Sequence, residues 1–269
     1  MVIVGSTQKR GKISAFIITK NESKKIERCL SYLHWVDEIV VVDSGSDDGT
    51  PDLVKRYAQK HKLPLRFLTK KFTGFAEQKN FAISKCKYSW ILDVDADEVV
   101  TVDLRDEITS VLKDISSSSY VAYSLPRKEF FLNRFLFMVP LVRFYQKDKA
   151  TYVGRVHELL SVSGSVGSLS HVLIHENYLG TQNQFALYLR RANLYTALDA
   201  EKLIEEGKYY SNLSILLRMI VNPLKYFFGL LLYKKLILRG YPGFLWSFLS
   251  GYTEFLVMAK YYELRSKKH

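Results

Sequence analysis

Two kinds of apolar pattern alternate along the first part of this 269-residue chain. Ile13 to Ile18 is a nearly continuous apolar run, as a buried strand shows, and Thr19-Lys20-Asn21-Glu22 leads out of it. Ile26, Cys29, Leu30 and Leu33 then recur at i, i+3, i+4 and i+7, the spacing of one helix face. Glu38 to Val42 is an Ile-Val-Val-Val run without polar alternation, as expected when both faces of a strand are covered in a parallel sheet. Thr50 suits the N-cap of the next helix and Pro51 its first position, with Leu53, Val54, Tyr57 and Ala58 inward. Leu63 to Leu68 predicts a third strand, Gly74 to Cys86 a third helix, and Trp90 to Asp95 a fourth strand. Leu104, Ile108, Val111, Leu112 and Ile115 mark a further helix, with Asp103, Asp106 and Glu107 near its N-terminus. This series of βαβ units predicts an α/β protein with a mostly parallel sheet flanked by helices.

The pattern changes after Tyr120. Up to His175 helical periodicity disappears and short β-branched or aromatic runs take over, which predicts extra strands and long loops on the same sheet. Helices return from Gln182, with Leu187, Leu194 and Leu198 on one face. Asn222 as N-cap, Pro223 at the first position, Gly240 after the end and Pro242 beyond outline another helix. Its apolar face is Leu224, Phe227, Phe228, Leu231 and Leu238, and a last helix covers about Phe244 to Leu264. The expected organisation is a leader over 1–12, an α/β domain over 13–206 and a C-terminal amphipathic helical extension over 207–269.

Composition excludes a disordered chain: 48% of residues are hydrophobic and 14% aromatic. A net charge of +12 calls for an anionic partner. From Tyr209 onward nine Lys or Arg stand against two Glu, interleaved with Phe, Tyr, Trp and Leu. That mixture suits an anionic membrane surface, not nucleic acid, and predicts an interfacial helical pair; a spanning helix and docking onto the core are the alternatives. Cys29 and Cys86 fall in helical segments at a spacing unsuited to zinc or a disulfide framework. With no secretory signal in the opening residues, the expected location is cytoplasmic, peripheral on the inner face of the cell membrane.

Candidate chemistry centres on Trp90 to Val100, where an apolar run ends in Asp93, Asp95, Asp97 and Glu98. If the strand reaches Asp95, alternation sends Asp93, Asp95 and Asp97 to one side. Crowded carboxylates repel one another and lose hydration, so a divalent cation is their natural partner; a solvated loop capping the next helix is the plainer alternative. Ligands of open α/β sheets bind beyond the carboxyl ends of the strands. Here those ends deliver Thr19, Asn21 and Glu22, then Asp43, whose carboxylate can accept from a base N–H, then the acidic stretch. The chain has neither a GxxxxGK[ST] loop nor a GxGxxG fingerprint, so a diphosphate would be neutralised by a metal ion with Lys or Arg.

Ser14 to Glu22, Val40-Val-Val-Asp-Ser-Gly-Ser-Asp-Asp-Gly-Thr50 and Leu92-Asp-Val-Asp-Ala-Asp-Glu98 together resemble the inverting family 2 glycosyltransferases, and within them the lipopolysaccharide core β-1,4-glucosyltransferase branch. The resemblance covers roughly residues 13 to 200. It implies a GT-A (Rossmann-like) fold, a UDP-sugar donor, a lipid-linked saccharide acceptor and Mg2+ or Mn2+ as cofactor. It places Asp95 and Asp97 on the family's Asp-x-Asp, with the frame Asp93-Val-Asp95 as the alternative. It puts Asp43 at the base, Thr19, Asn21 and Glu22 beside the nucleoside, and Gln78, Lys79 and Asn80 near ribose and diphosphate. Arg155-Val-His157-Glu158 resembles a motif of the same branch. Glu158 is the expected base for the acceptor hydroxyl, against an ordinary surface glutamate. His175 is the expected late metal ligand, preferred to His157, against a structural histidine. Arg143 would line the acceptor or diphosphate site, or form a simple salt bridge. A membrane-docked nucleotide-sugar-binding protein without transferase activity is the alternative function, followed by a sugar nucleotidyltransferase.

Overall fold

The computed structural model describes residues 10–154, 158–176 and 183–267. Most of the expected leader and Arg155, Val156 and His157 of the expected base motif lie outside the described residues. The chain divides into two compact units, Met1–Lys128 with Met138–Asn177, and Glu129–Phe137 with Tyr178–His269.

The first unit begins with the predicted alternation: β1 (Ile13–Thr19), α1 (Ile26–Ser31), β2 (Glu38–Asp43), α2 (Thr50–His61), β3 (Leu65–Thr69), α3 (Phe75–Lys85) and β4 (Trp90–Asp93). There follow β5 (Glu98–Val100), α4 (Val102–Lys113), β6 (Ala122–Phe131), β7 (Arg134–Gln146), β8 (Ala150–Val153), β9 (Leu159–Val162), β10 (Val166–Ser168) and β11 (Leu173–His175), the Glu129–Phe137 end of the β6–β7 hairpin belonging to the second unit. Among the described residues one sheet runs in the order β3-β2-β1-β4-β7-β6-β11-β5, with β10 beside β6; β8 and β9 form a separate ribbon. The β3, β2, β1 and β4 neighbours are parallel, and Thr19, Asp43 and Thr69 finish in register at one edge. β7 joins β4 antiparallel, and β11 joins β5 antiparallel.

Strand alternation explains the continuous apolar runs. Ile13, Ala15, Ile17, Ile39 and Val41 share one core with Leu30 of α1, Val54 of α2 and Ile108 of α4. Phe16, Val40, Val42 and Ile91 share another with Ala82 and Ile83 of α3 and Tyr152 of β8. Each such aliphatic side chain contributes about 1.5–3 kcal/mol on burial, so neither strand face tolerates a polar residue without a partner.

Two local expectations are corrected. β4 stops at Asp93, so the acids beyond it do not alternate along a strand. The Glu98 amide donates to the Asp95 carbonyl at 2.9 Å and the Asp95 amide to the Glu98 carboxylate at 2.9 Å, closing a turn that feeds β5. Gly49, at φ 86°, takes the N-cap position of α2 in place of Thr50. The Thr50 hydroxyl accepts the Glu22 amide at 2.9 Å and so ties two loops together.

The second unit holds α5 (Gln184–Glu205), α6 (Asn212–Phe228) and α7 (Tyr241–Ser266). α5 buries Tyr188, Ala192, Thr196 and Ala200, whereas Leu194, expected inward, is 58% exposed. Small residues at the i, i+4 positions permit close helix packing, and they displaced the leucine stripe. The helix expected to start at Asn222 starts at Asn212 instead, where the Ser211 hydroxyl accepts the Ser214 amide at 3.2 Å. Pro223 lies inside α6 and forfeits a hydrogen bond; an interior proline costs about 3 kcal/mol, which packing against α7 must offset. The segment Asn212–Tyr233 is long and apolar enough to cross a membrane by length and composition. Arg218 and Lys225 stand along it, and each charge costs about 2.5–3.5 kcal/mol at a bilayer centre.

A pair of glycines tests the helix packing. A Cβ on Gly251 would come within 2.6 Å of the Pro223 carbonyl oxygen, while one on Gly229 meets nothing within 4 Å. Gly251→Ala should destabilise by about 1–3 kcal/mol and Gly229→Ala should stabilise by up to about 1 kcal/mol, read as opposite shifts in thermal melting.

Candidate functional site

Alternation along β4 sends Ile91 and Asp93 towards α3. Asp93 is fully buried, and its carboxylate meets Lys79 of α3 at 3.2 Å, Arg143 of β7 at 2.7 Å and the Tyr152 hydroxyl, which donates to it. Lys79 also lies 3.5 Å from Asp95 and 3.5 Å from Glu158, with Tyr152 stacked beneath its ammonium. Arg143 reaches onward to Asp95 at 2.5 Å and Glu98 at 3.1 Å; Arg127 stands 3.0 Å from Glu98 and 3.8 Å from Asp95. Lys79 and Arg143 are 3% and 5% exposed, so these are charges held out of water by other charges.

The protonation states follow from that balance. Burial presses Lys79 towards the neutral form, but Asp93 and Asp95 outweigh it and raise its pKa. Burial likewise opposes the Arg143 charge, and Asp93, Asp95 and Glu98 overcome it. Burial pushes the Asp95 carboxyl up, yet Arg143 and Lys79 hold it well below the usual carboxylate range. In Glu98 burial prevails over Arg143 and the pKa rises. Burial and the neighbouring Asp93 push the Tyr152 hydroxyl far up, so it remains a donor.

A second grouping lies at the rim. Pairing of β11 with β5 sets His175 opposite Glu98 and brings its Nε2 to 3.5 Å from Asp97 Oδ1; Lys25 is 3.9 Å from the other oxygen. Burial raises the Asp97 carboxyl, but its hydrogen bond to His175 and that residue's charge more than cancel this.

At the ends of β1 and β2 the loops are cross-tied. The Asp43 carboxylate accepts the Gly45 and Ser46 amides at 2.9 Å each and the Ser46 hydroxyl at 2.5 Å. The Asn21 side chain accepts the Asp47 amide at 3.0 Å, and its own amide donates to Ser46 at 2.8 Å. Gln78 donates to the Ser44 hydroxyl at 3.0 Å, and the Ser44 amide donates to the Thr19 carbonyl at 2.9 Å. Thr19 Oγ1 and Gln78 Oε1 are buried and have no hydrogen-bond partner among the described residues, at about 1–3 kcal/mol each.

The structure therefore gathers Lys79, Asp95, Arg143 and Glu158 in one cluster, pairs Asp97 with His175, and links Thr19, Asn21, Glu22, Asp43 and Gln78 through their loops. Asn80 is placed otherwise: both ends of its amide bond the Tyr152 backbone, at 2.8 and 2.9 Å, clamping β8 over α3. Tyr152 and Arg127 were absent from the sequence reading, since a tyrosine or arginine in a β-rich stretch carries no signal of its partner. Among the described residues no three His, Cys, Asp or Glu side chains converge as metal ligands. The expected trio of Asp95, Asp97 and His175 is thus not assembled, because Asp95 is turned to Lys79, Arg143 and Arg127. Asp97 and His175 still fit a divalent cation that completes its shell with phosphate oxygens and water, since such ions take only one or two protein carboxylates beside a nucleotide.

Comparison with known proteins agrees with this geometry. The sequence pattern of the family described as Glycosyl transferase family 2 matches residues 14–157. A lipopolysaccharide core biosynthesis glycosyltransferase, LpsC of Rhizobium meliloti, is 30% identical over 95% of this chain and 94% of its own. An "uncharacterized glycosyltransferase" of Rickettsia felis is 31% identical over 95% and 92%. Among solved structures the Pyrobaculum calidifontis mannosyltransferase PcManGT, in complex with GDP-Man and Mn2+, superposes with a TM-score of 0.58 at 18% identity, covering 95% of this chain and 88% of that one. That likeness establishes a shared α/β fold.

Removing one partner from a buried ion cluster leaves an uncompensated charge. Arg143→Met should cost about 3–5 kcal/mol in urea unfolding, and Tyr152→Phe about 1–3 kcal/mol.

Proposed function

The chain belongs to glycosyl transferase family 2, and from that premise we propose that it moves a hexose from a UDP-sugar to a lipid-linked saccharide with inversion. The observation that carries the proposal is the position of Glu158, 3.5 Å from the buried Lys79 that also binds Asp93 and Asp95 at the carboxyl end of β4. Glu158 is one-quarter exposed, so it can face an acceptor while its negative charge is held by Lys79.

Glu158 accepts the proton of the acceptor hydroxyl as that oxygen attacks the anomeric carbon, and the nucleoside diphosphate leaves from the opposite side. Mg2+ or Mn2+, held by Asp97 and His175 with Asp95 nearby, would offset the charge developing on the diphosphate. Lys79 and Arg143 add fixed positive charge next to it. Gln78 and Thr19 offer acceptors that a nucleoside could satisfy, and Asp43 holds in place, through Gly45 and Ser46, the loop that meets the base. Asn21 and Glu22 brace that loop from the other side. Asn80 acts through Tyr152.

The relationship to LpsC supports a lipopolysaccharide core acceptor, and the basic, aromatic C-terminal region supports a peripheral place on the inner face of the cell membrane.

Two substitutions test the roles separately. Glu158→Gln should reduce transfer by about 10²-fold or more with donor binding unchanged, measured as product formation and as UDP-induced thermal shift. Asp97→Asn should remove the metal-dependent part of the thermal shift with UDP-sugars and Mg2+ or Mn2+; an unchanged shift excludes Asp97 as a ligand.

A further inference from the structure

We propose that the hairpin of α6 and α7 lies flat on an anionic lipid surface, through one continuous apolar face built from both helices. The proposal rests on the membrane location proposed above and adds which surface makes the contact and in what orientation.

α6 is inverted relative to an ordinary surface helix. Its outward residues are Leu213, Leu216, Leu217, Ile220, Val221 and Leu224, each more than half exposed, and among its residues only Ile215 is fully buried. At 100° per residue these six form a single stripe. Arg218 and Lys225 fall together along one border of it. The stripe continues through Phe228, Leu232 and Tyr233, the last 83% exposed, beside Lys234 and Lys235. α7 carries a second outward stripe of Phe244, Phe248, Tyr252 and Phe255.

The two stripes meet. Phe227 packs edge-on against Phe244 with ring centres 5.7 Å apart, Gly251 lies against Pro223, and Arg265 at the far end of α7 bonds Asn212 at the start of α6. The helices are therefore antiparallel. Each stripe follows its contact seam in the same rotational sense, so both face one side of the hairpin. Monomeric soluble proteins rarely expose so large a contiguous apolar area.

Charge decides the occupant. The rim is basic: Arg218, Lys225, Lys234, Lys235 and Arg239. Of the two acids in the region, Glu254 is half-buried and Glu263 pairs with Lys267 at 2.6 Å. A second copy meeting this face about a twofold axis would bring like-charged rims together. Anionic headgroups complement them, and long basic side chains can reach headgroups while their helix rests at the acyl boundary. A spanning α6 would instead place Arg218 and Lys225 in hydrocarbon and strand α7, which packs along its length.

The test uses the full chain and vesicles of phosphatidylcholine with or without phosphatidylglycerol. Wild-type protein should float with the anionic vesicles and be released by alkaline carbonate. Ile220→Ser with Leu224→Ser should weaken partition about tenfold or more, as should Phe248→Ser. Each of Lys225→Gln and Lys234→Gln should weaken it about fivefold on anionic vesicles only. Melting temperature verifies that each variant is folded. Failure of the wild type to bind, or variants that bind as well as it does, overturns the proposal. So does resistance to carbonate, which means a spanning helix, or a wild-type dimer that Ile220→Ser with Leu224→Ser dissociates, which means a second copy. Thermal shift by UDP with Mn2+ separates the two readings. If it persists while vesicle binding fails, the surface assignment falls and the transferase stands. If the wild type shows no shift but binds vesicles, the donor assignment falls instead.

Discussion

The fully buried carboxylate of Asp93 constrains everything built around it. An unpaired carboxylate in a protein interior costs several kcal/mol or more, a large share of a domain's stability, and here Lys79, Arg143 and Tyr152 converge to offset it. Those partners come from α3 and from the consecutive strands β7 and β8, which lie some sixty residues further along the chain. Meeting the electrostatic demand of one residue therefore docks a helix, an antiparallel strand and a ribbon at the carboxyl end of β4. Lys79 and Arg143 then have charge to share with Asp95, Glu98 and Glu158, which are drawn to the same end of β4.

That arrangement divides the acidic stretch into different tasks. Asp93 and Glu98 are buried anchors; Asp95 lies between, its carboxylate held ionised by Arg143 and Lys79. Asp97 sits within the turn, beside a histidine delivered by the antiparallel pairing of β11 with β5. Asp97, less exposed than Asp95, has His175 and Lys25 beside it, whereas Asp95 is held by Lys79, Arg143 and Arg127.

The second unit solves a different problem. Its cores are small and rely on close approach, with Ala192, Thr196 and Ala200 on α5 and Gly251 against Pro223. Large apolar side chains that would normally complete such a core are turned outward on α6 and α7. Flat stripes of this kind are stable in water only as far as the small core can carry them.

By itself the sequence determined the βαβ series, the strands' covered faces and the motif residues at their carboxyl ends. These follow from local periodicity, β-branched runs and a short polar vocabulary, all readable within a few residues. It misplaced the end of β4, because a turn closed by Glu98 looks like a continuing strand to an alternation rule. It misplaced the start of α6, since Asn-Pro is a good helix start unless packing carries the helix through it. It set Leu194 on the apolar face of α5, whereas small residues take the closest packing positions and leave it exposed. Only the tertiary structure decided which acid is buried, that Tyr152 and Arg127 join Lys79 and Arg143, that Asn80 clamps β8, and that His175 stands beside Asp97. Each of those is a contact between residues distant in the chain, set by sheet order and charge balance, and no local pattern encodes it.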